Sequence, residues 1–554
     1  MSHLLAFRIA FRIYSRSRIR PMYLPPSHKS IVYKTSSMHQ SYTAVMLQKQ
    51  HANEPIHLTA QLDVQNNGCV NSDYKQEDVY RATIRDLNSL QSNVVSIAVA
   101  KTKHPEERFE LFKKHLDIAG IQIDDLKRLN VIHVSGTKGK GSTCAFTESI
   151  LRSHGLKTGF YNSPHLTQVL ERIRINGDPV SIDKFCKHFK PLFARLKAGT
   201  ERDNIPMPAY FAFLTILAFR TFIEEQVHVA VLEVGIGGEY DITNVVADPV
   251  VCGITSLDYD HTSVLGDTIE EIAWHKAGII KKNAPVFTVH QCDEAMNVIR
   301  RRAQEKSSNL IICPPLESYG LDKINLGIDG PAQQSNASLA IQISQYWLET
   351  QRSYTRKHQV PFIRNEATLK GLSNCRWKGR CQVIKLGSLV FFLDGAHTRD
   401  SMRYCRDWFI NKSYKSENKN KIARYLLMNI IGDRPRDQLM KILVDLDWDL
   451  AVFSTNKADF IETATSDNAT VNGDTSSMQT KHNADVWRQL SDAPVQIREA
   501  VCVKEAIKII HDCSDSSNFE SRQHHILVTG SLHLVGTVLG VLEQMLYDLS
   551  MSKK

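Results

Sequence analysis

The stretch VIHVSGTKGKGS, residues 131–142, decides how the rest of the chain is interpreted. An apolar, β-branched run leads into a loop with three glycines, and a helical pattern, TCAFTESILRSHG, follows at once. Strand, glycine loop and helix in this order predict a phosphate-binding turn, because backbone N–H groups and the positive helix end favour anions and Lys140 adds a charge. The spacing departs from G-x-x-x-x-G-K-[ST], since Val134 occupies the first glycine position and Gly141 follows the lysine. The alternative is an ordinary turn between a strand and a helix.

The length and composition indicate a large globular protein. A chain of 554 residues is too long for one hydrophobic core and predicts at least two domains. Lys and Arg outnumber Asp and Glu by 68 to 59, but no acidic residue precedes Glu54, so the remainder is nearly neutral and nucleic-acid binding is not expected. The eleven cysteines contain no C-x-x-C pair and predict free thiols in a reducing compartment. No apolar run approaches the roughly twenty residues of a membrane span.

The N-terminal 50 residues differ in composition from the rest. They begin MSHLLAFRIAFRIYSRSRIRPMYL and are rich in arginine, serine and aliphatic residues, without any acid. This composition predicts a mitochondrial transit peptide over 1–50, because Arg8 and Arg12 interrupt the apolar run that a secretory signal needs. The alternative is a disordered basic arm. A cytoplasmic form besides the mitochondrial matrix form is expected from starts at the internal methionines Met22, Met38 and Met46.

Two apolar runs after the loop end in residues that could bind a metal. VHVAVLEVGIGG contains Glu233 at the end of a predicted strand, and PVVCGITSLDYDH ends in Asp258, Asp260 and His261. In doubly wound α/β sheets, ligands collect outside the carboxyl ends of the strands. Glu233 and His261 are therefore candidates for a shared Mg²⁺, bound by oxygen ligands and one imidazole. The alternatives are a carboxylate in a solvated turn and a structural histidine.

The helix TIEEIAWHKAGII places a lysine on its apolar stripe. Ile269, Ile272, Ala273 and Lys276 follow one another at i, i+3, i+4 and i+7, which directs all four toward the core. One explanation is that the ammonium of Lys276 reaches water past its aliphatic stem. The other is that Lys276 reaches a polar site at the sheet edge, in a modified form.

A second α/β domain is expected after a polar joint. The joint NCRWKGRCQ places the boundary at residue 375, with Arg380 just beyond it, and Asp394 and His397 close the following apolar strand. Alternating strand and helix patterns to the C-terminus predict a smaller, mostly parallel sheet flanked by helices. Residues 457–485 are rich in Ser, Thr, Asn and Asp and predict a disordered surface insertion.

Several motifs in order give the chain a specific resemblance. These are GTKGKGSTCAFTESILRSHGLKTGFYNSPHL, ERIRING, VLEVGIGGEYDITN, DHTSVLGDTIEEIAWHKAGIIK, LDGAH and VTGSLHLVG. Together they resemble the eukaryotic folylpolyglutamate synthase family, within the Mur-ligase-like ATP-dependent amide ligases. The resemblance implies an α/β fold with a P-loop-type, mostly parallel sheet domain over 80–374, like the central domain of Mur ligases, which binds ATP and folate. It also implies a smaller Rossmann-like domain over 375–554.

The resemblance also implies roles for individual residues. The ATP site would contain Gly136, Thr137, Lys138, Gly139, Lys140, Gly141, Ser142, Asn336, Arg380 and Asp394. The ligands of magnesium would be Ser163, Glu233 and His261, with Lys276 joining them as a carbamate. Lys140, Lys276 and His397 would assist the chemistry, His397 by orienting substrate or accepting a proton from glutamate.

The implied reaction adds L-glutamate to the γ-carboxylate of a folate through an acyl phosphate. Its cofactors would be ATP and two Mg²⁺ ions, with a monovalent cation as a further candidate, and the enzyme would act as a monomer. One alternative is a dihydrofolate synthase, or an enzyme with both activities. An alternative of another class is a nucleotide-binding regulatory protein without ligase activity.

Overall fold

The computed structural model describes residues 30–37, 40–47, 70–91, 105–320, 325–350, 362–414, 422–432, 434–459, 475–491, 495–515 and 523–551. The chain divides into two compact units, Met1–Asp78 and Val79–Lys554. In the first, strands β1 (Ser30–Ser37) and β2 (Gln40–Leu47) form an antiparallel hairpin. This hairpin differs from the disordered arm considered for 1–50. The rest of the predicted transit peptide lies outside the described residues.

The second unit contains an eight-stranded sheet that is parallel except at one edge. Its order is β10-β9-β8-β3-β7-β4-β5-β6, and only the last two strands are antiparallel to their neighbours. The strands are β3 (Ile132–Ser135), β4 (Thr158–Tyr161), β5 (Ile173–Ile175), β6 (Asp178–Pro179), β7 (Val229–Glu233), β8 (Val251–Ile254), β9 (Val286–Thr288) and β10 (Leu310–Ile312). Val134 of β3 is opposite Glu233 on one side and Gly253 on the other. The segments that follow β3, β7 and β8 therefore leave from the same sheet edge.

Helices cover both faces of this sheet. They are α1 (Val70–Ser89), α2 (Pro105–Ala119), α3 (Ile123–Lys127), α4 (Lys140–Ser153), α5 (Ile182–Arg202), α6 (Tyr210–Glu224), α7 (Thr262–Leu265), α8 (Ile269–Ala277), α9 (Asp293–Glu305), α10 (Gln333–Thr350) and α11 (Glu366–Asn374). Alternate residues of β7 enter different cores, Ala230 and Leu232 with α5 and α6, Val229 and Val231 with α4 and α10. Both faces of the strand are thus buried, which explains its continuous apolar sequence.

The stripe predicted on the α8 sequence is confirmed. A capping box between Thr268 and Glu271 starts the helix, because each side chain satisfies a backbone N–H of the other residue. Ile269, Ile272, Ala273 and Lys276 are all buried. The exposed fraction of Lys276 is 3%, so its ammonium does not reach water, and the first explanation of this lysine is wrong.

The remaining residues form a six-stranded sheet with order β11-β12-β16-β13-β14-β15, parallel except for β11. Its strands are β11 (Gln382–Leu386), β12 (Leu389–Leu393), β13 (Ile422–Met428), β14 (Leu450–Ser454), β15 (Gln496–Ala500) and β16 (Gln523–Thr529). Its helices are α12 (Arg399–Ser413), α13 (Arg436–Met440), α14 (Thr475–Leu490), α15 (Val503–Asp515) and α16 (Leu532–Met551). The predicted α/β class with two mostly parallel sheets is confirmed, and the predicted boundary at residue 375 falls between α11 and β11.

The predicted disordered insertion over 457–485 is wrong for residues 475–485, which begin α14. This helix is held by a polar contact: the Asn483 amide donates to Asn429 Oδ1 at 3.0 Å and to the Ile430 carbonyl at 3.1 Å. Trp487 is also fully buried. Residues 460–474 lie outside the described part. Among the described helices, none is both long and apolar enough to cross a membrane.

Candidate active site

The glycine loop between β3 and α4 uses two of its N–H groups to hold its own shape. The N–H groups of Thr137 and Lys138 donate to the Ser256 carbonyl at 3.0 and 3.1 Å. The Thr137 hydroxyl donates to the Asp258 carbonyl at 3.0 Å. These bonds anchor the loop to the segment after β8.

The donors that remain for an anion lie at the first turn of α4. Within this helix, the bond nearest the start runs from the Thr143 N–H to the Gly139 carbonyl, at 2.8 Å. The N–H groups of the preceding residues have no acceptor inside the helix, and the positive end of the helix dipole lies beside them. They belong to Lys140, Gly141 and Ser142.

Asn336 lies directly against this loop. Gly139 has a φ of +87°, and a Cβ atom placed on it would lie 2.1 Å from Asn336 Oδ1. Asn336 is buried in α10, and its amide donates to Gln333 Oε1 at 3.0 Å. The close approach of Asn336 to the loop therefore requires a glycine at position 139.

We expect Gly139→Ala to destabilise the protein more than Gly155→Ala does. Gly155 has nearly the same φ, +85°, but a Cβ there would meet nothing within 4 Å. The left-handed backbone should lower the free energy of unfolding of both variants by about 1–2 kcal/mol. Gly139→Ala should lower it by about 1–3 kcal/mol more, because Asn336 must move. Urea unfolding measures both losses, and equal values would show that the contact with Asn336 costs nothing.

Two lysine side chains converge on one carbonyl of the loop. Lys140 Nζ donates to the Gly136 oxygen at 2.9 Å, and Lys276 Nζ donates to the same oxygen at 3.0 Å. Burial holds the pKa of Lys276 well below its usual value, and the charge of Lys140 lowers it further. The amine of Lys276 is therefore biased toward its neutral, nucleophilic form.

The backbone around Lys276 is fixed by the segment after β7. A Cβ on Gly238 would lie 2.6 Å from the His275 carbonyl and 2.8 Å from that of Lys276, so only glycine allows this approach. The Ser135 hydroxyl donates to the Lys276 carbonyl at 2.8 Å. The GIGG segment and β3 thus hold α8 against the loop.

Glu233 and Ser163 come together at a cleft beside α4. The Ser163 N–H donates to Glu233 Oε2 at 3.2 Å, and both residues line one cleft with Gly141 and Arg380. Burial raises the pKa of Glu233, whereas the Lys140 charge and the Ser163 N–H oppose the rise. A carboxylate and a hydroxyl are hard oxygen ligands, so this pair fits Mg²⁺, which binds few protein ligands and keeps water or phosphate oxygens.

The position of His261 differs from that of the pair. It is exposed, with a φ of +54°, and its N–H donates to Asp260 Oδ1 at 3.0 Å. It does not line the cleft that contains Glu233. Among the described residues, no three His, Cys, Asp or Glu side chains are grouped closely enough to hold a metal. The assignment of His261 as a metal ligand stays a prediction.

The joint between the domains is anchored by Trp377. Its indole stacks on Phe160 of β4 with ring centroids 5.3 Å apart, and the Arg174 guanidinium lies 5.3 Å from the indole centroid. A Cβ on Gly141 would lie 3.3 Å from the same indole. Trp377 therefore seats the joint against the start of α4 and brings Arg380 to the cleft.

Asp394 of the second domain is held near this arginine. Its carboxylate accepts the Cys381 N–H at 3.0 Å and the Cys381 thiol at 3.4 Å. Burial raises the pKa of Asp394, and the Arg380 charge opposes the rise. Arg380 and Asp394, which are predicted to contact the nucleotide from the second domain, therefore lie close enough for the Arg380 charge to stabilise the carboxylate.

The Lys138 ammonium contacts an aspartate and a histidine from other segments. Its Nζ lies 2.9 Å from Asp260 Oδ2 and 3.0 Å from His397 Nε2. Burial lowers the pKa of Lys138 to about 8, although Asp260 opposes this. Burial alone would raise the pKa of Asp260, but hydrogen bonds and the lysine charge hold it well below its usual range.

Helix α16 of the second domain packs on the turn that carries Ser163. A Cβ on Gly536 would lie 2.1 Å from the Leu166 carbonyl oxygen, so the helix backbone touches the turn directly. Gly379 of the joint also rests on Leu166, with 2.8 Å from its Cβ position to Leu166 Cδ1.

Trp377 and Arg434 are not among the residues predicted from the sequence. Burial lowers the pKa of Arg434, and the charge of Asp260 opposes this. Burial also lowers the pKa of His397 and His533, and the Arg434 charge lowers both further. Arg434 follows β13, so it leaves from the carboxyl end of a parallel strand. The rule that predicted Glu233 would also have found Arg434.

Comparisons with known proteins identify the family of the chain. No protein-family model matches the chain. The mitochondrial folylpolyglutamate synthase of Bos taurus is 40% identical over 540 residues, covering 84% of this chain and 92% of that protein. Folylpolyglutamate synthase of Saccharomyces cerevisiae (strain YJM789) is 38% identical over 495 residues, covering 84% and 87%. A solved structure, Mycobacterium tuberculosis folylpolyglutamate synthase complexed with ADP, has a TM-score of 0.65 at 21% identity and covers 83% of this chain and 98% of that one. The chain belongs to the folylpolyglutamate synthase family.

Proposed function

We propose that this member of the family joins L-glutamate to the γ-carboxylate of a folate through the residues of the cleft between its two sheets. The family makes the chain an ATP-dependent, ADP-forming ligase, as its motifs predicted. The observation that carries the proposal is the convergence of four groups on this cleft. They are Gly141 at the start of α4, Ser163, Glu233, and Arg380 from the joint.

A carboxylate needs activation before an amine can attack it. In the proposed reaction, a folate carboxylate oxygen attacks the γ-phosphorus of ATP, the bond to the β,γ-bridging oxygen breaks, and ADP leaves. The amine of glutamate then attacks the acyl carbon, loses a proton, and inorganic phosphate departs. The N–H groups at the start of α4, Lys140 and Arg380 would neutralise charge on the transferred phosphoryl group.

Ser163 and Glu233 would hold Mg²⁺, with His261 as the predicted third ligand. The bound ion would neutralise phosphate charge. The neutral amine of Lys276 would react with CO₂, lose a proton and become a carbamate, whose negative charge suits a second Mg²⁺. The roles of Asn336 and Asp394 in binding ATP and a site for a monovalent cation remain part of the proposal.

The glutamate would enter from the side of the second domain. His397, Arg434 and His533 follow three neighbouring parallel strands, β12, β13 and β16, and Arg434 is a cation at this edge. A carboxylate of glutamate would pair with Arg434, since arginine binds carboxylates through two parallel N–H donors. His397 would orient the amine or accept its proton.

We place one form of the protein in mitochondria. The Bos taurus relative has "mitochondrial" in its name, and the N-terminal residues are basic without acids. A cytoplasmic form from an internal start codon and a monomeric state are further parts of the proposal. A fusion of residues 1–50 to a fluorescent reporter tests the mitochondrial location. Light scattering of the purified protein tests the monomeric state.

The activity is tested with purified protein, tetrahydrofolate, ATP with Mg²⁺ and labelled glutamate. We expect ADP formation that depends on both folate and glutamate, and products one or more glutamates longer by mass spectrometry. Efficient product formation from dihydropteroate would instead indicate a dihydrofolate synthase or a bifunctional enzyme. ATP turnover without either substrate would favour a regulatory nucleotide-binding protein.

A further inference from the structure

Lys138 occupies the middle of the glycine loop, yet its donors serve other partners. Its N–H donates to the Ser256 carbonyl at 3.1 Å. Its ammonium lies 2.9 Å from Asp260 Oδ2 and 3.0 Å from His397 Nε2. Lys140, two residues later, has its N–H at the helix start and its ammonium over the loop carbonyls. The two lysines of the loop therefore face different groups.

The three side chains around Lys138 come from three separate segments. Lys138 follows β3, Asp260 follows β8, and His397 follows β12 of the second sheet. Their side chains are largely covered, with exposed fractions of 24% for Lys138, 15% for Asp260 and 16% for His397. Charge-assisted hydrogen bonds shielded from water are stronger than exposed ones. This contact thus links the nucleotide loop to the second domain.

The hydrogen bonds of His397 determine which nitrogen faces the lysine. Nδ1 lies 2.7 Å from the Gly395 carbonyl, which can only accept, so Nδ1 carries the proton. Nε2 then has a lone pair and accepts from the Lys138 ammonium. Nε2 also lies 3.7 Å from Asp260 Oδ2. The Lys138 ammonium therefore donates to two neighbouring acceptors, His397 Nε2 and Asp260 Oδ2. The imidazole is thus held at both nitrogens, by the Gly395 carbonyl at Nδ1 and by the lysine at Nε2.

We infer that Lys138 is a positioning residue that holds His397 of the second domain against the nucleotide loop. The imidazole is thereby fixed for glutamate, near Arg434, where the two domains meet at the loop. This inference rests on the proposed role of His397 at the glutamate side. It differs from the phosphate-binding role predicted for Lys138 from its motif, because it assigns the ammonium to glutamate positioning.

Steady-state kinetics of Lys138→Met distinguish the two roles. Losing a hydrogen bond to a charged group should lower kcat/KM for glutamate roughly 10- to 100-fold. The KM for ATP should change less than about twofold, since Lys140 and the helix start remain. Lys138→Arg should recover part of the loss. Lys113→Met, an exposed lysine paired with Glu110, is the control and should behave like the parent protein.

A double variant tests whether the two residues act as a unit. Lys138→Met combined with His397→Asn should be no slower than His397→Asn alone, because the lysine would act through the imidazole. A rise in the KM for ATP with an unchanged kcat/KM for glutamate would overturn the inference. So would additive losses in the double variant.

A measurement without turnover separates this inference from the proposed function. Nitrogen-15 NMR of histidine-labelled protein, with the His397 signal assigned from its loss in His397→Asn, reports the tautomer and hydrogen bond of Nε2. We expect this signal to shift in Lys138→Met and to remain unchanged in Lys113→Met. An unchanged signal would refute the contact. If the His397 signal differs between the parent protein and Lys138→Met but the parent protein shows no ligation, the contact stands and only the proposed function is refuted.

Discussion

Replacing Glu233 with glutamine should lower ligation about a thousandfold or more while the protein stays folded. Glutamine keeps the size of the side chain, and its amide oxygen can still accept the Ser163 N–H that now lies 3.2 Å from Oε2. What is lost is the negative charge at the cleft. Metal-bound charge stabilisation is worth several kcal/mol, and each 1.4 kcal/mol or so is a factor of ten in rate.

Glu148→Gln is the matched control for Glu233→Gln. Glu148 is also a buried glutamate, but it accepts from Arg152 at 2.9 Å and from the Thr158 hydroxyl at 2.6 Å, away from the cleft. Its loss should appear in the free energy of unfolding and leave the Mg²⁺ dependence of the rate unchanged. If Glu233→Gln kept near-normal activity, Glu233 would not be a metal ligand.

The second large effect is expected for Lys276→Ala. This change removes a buried amine that donates to the Gly136 carbonyl, and with it the carbamate that we propose. Ligation should fall on the order of a hundredfold or more, as expected for a charged group at the reacting phosphoryl group. Lys276→Glu should retain more activity than Lys276→Ala, because a carboxylate reproduces the charge of a carbamate.

The carbamate itself can be observed and controlled for. Carbon-13 NMR of the protein equilibrated with labelled bicarbonate should give a carbamate signal that is absent in Lys276→Ala. Lys281→Met is the control, since Lys281 is also a largely covered lysine, whose Nζ donates to the Asn244 carbonyl at 3.1 Å. A Lys276→Ala enzyme with normal rates would exclude Lys276 from the reaction.

The sequence was sufficient to predict the sheet edge where the candidate site lies. Apolar runs that end in Glu233 or in the glycine loop identify parallel strands, and parallel strands end at the same edge, so their proximity follows from the pattern. The stripe on α8 likewise predicted a buried Lys276. These features depend on local periodicity and on one general rule of α/β folds.

The directions of individual side chains could not be predicted in this way. Lys138 and Lys140 are two residues apart in one motif, and only the approach of Asp260 and His397 from distant segments separates their roles. Likewise, α14 was missed because its support comes from the Asn483 amide and a buried tryptophan instead of from an aliphatic stripe. Such contacts depend on tertiary packing.

The contact between Gly536 and Leu166 affects how natural variation in this chain should be interpreted. In the sequence, position 536 is one residue of an apolar C-terminal helix, where alanine or serine would pass as a mild change. In the fold, any side chain there meets the Leu166 carbonyl, three residues beyond Ser163. A natural variant at Gly536 should therefore be grouped with changes in the turn that carries Ser163, the proposed magnesium ligand.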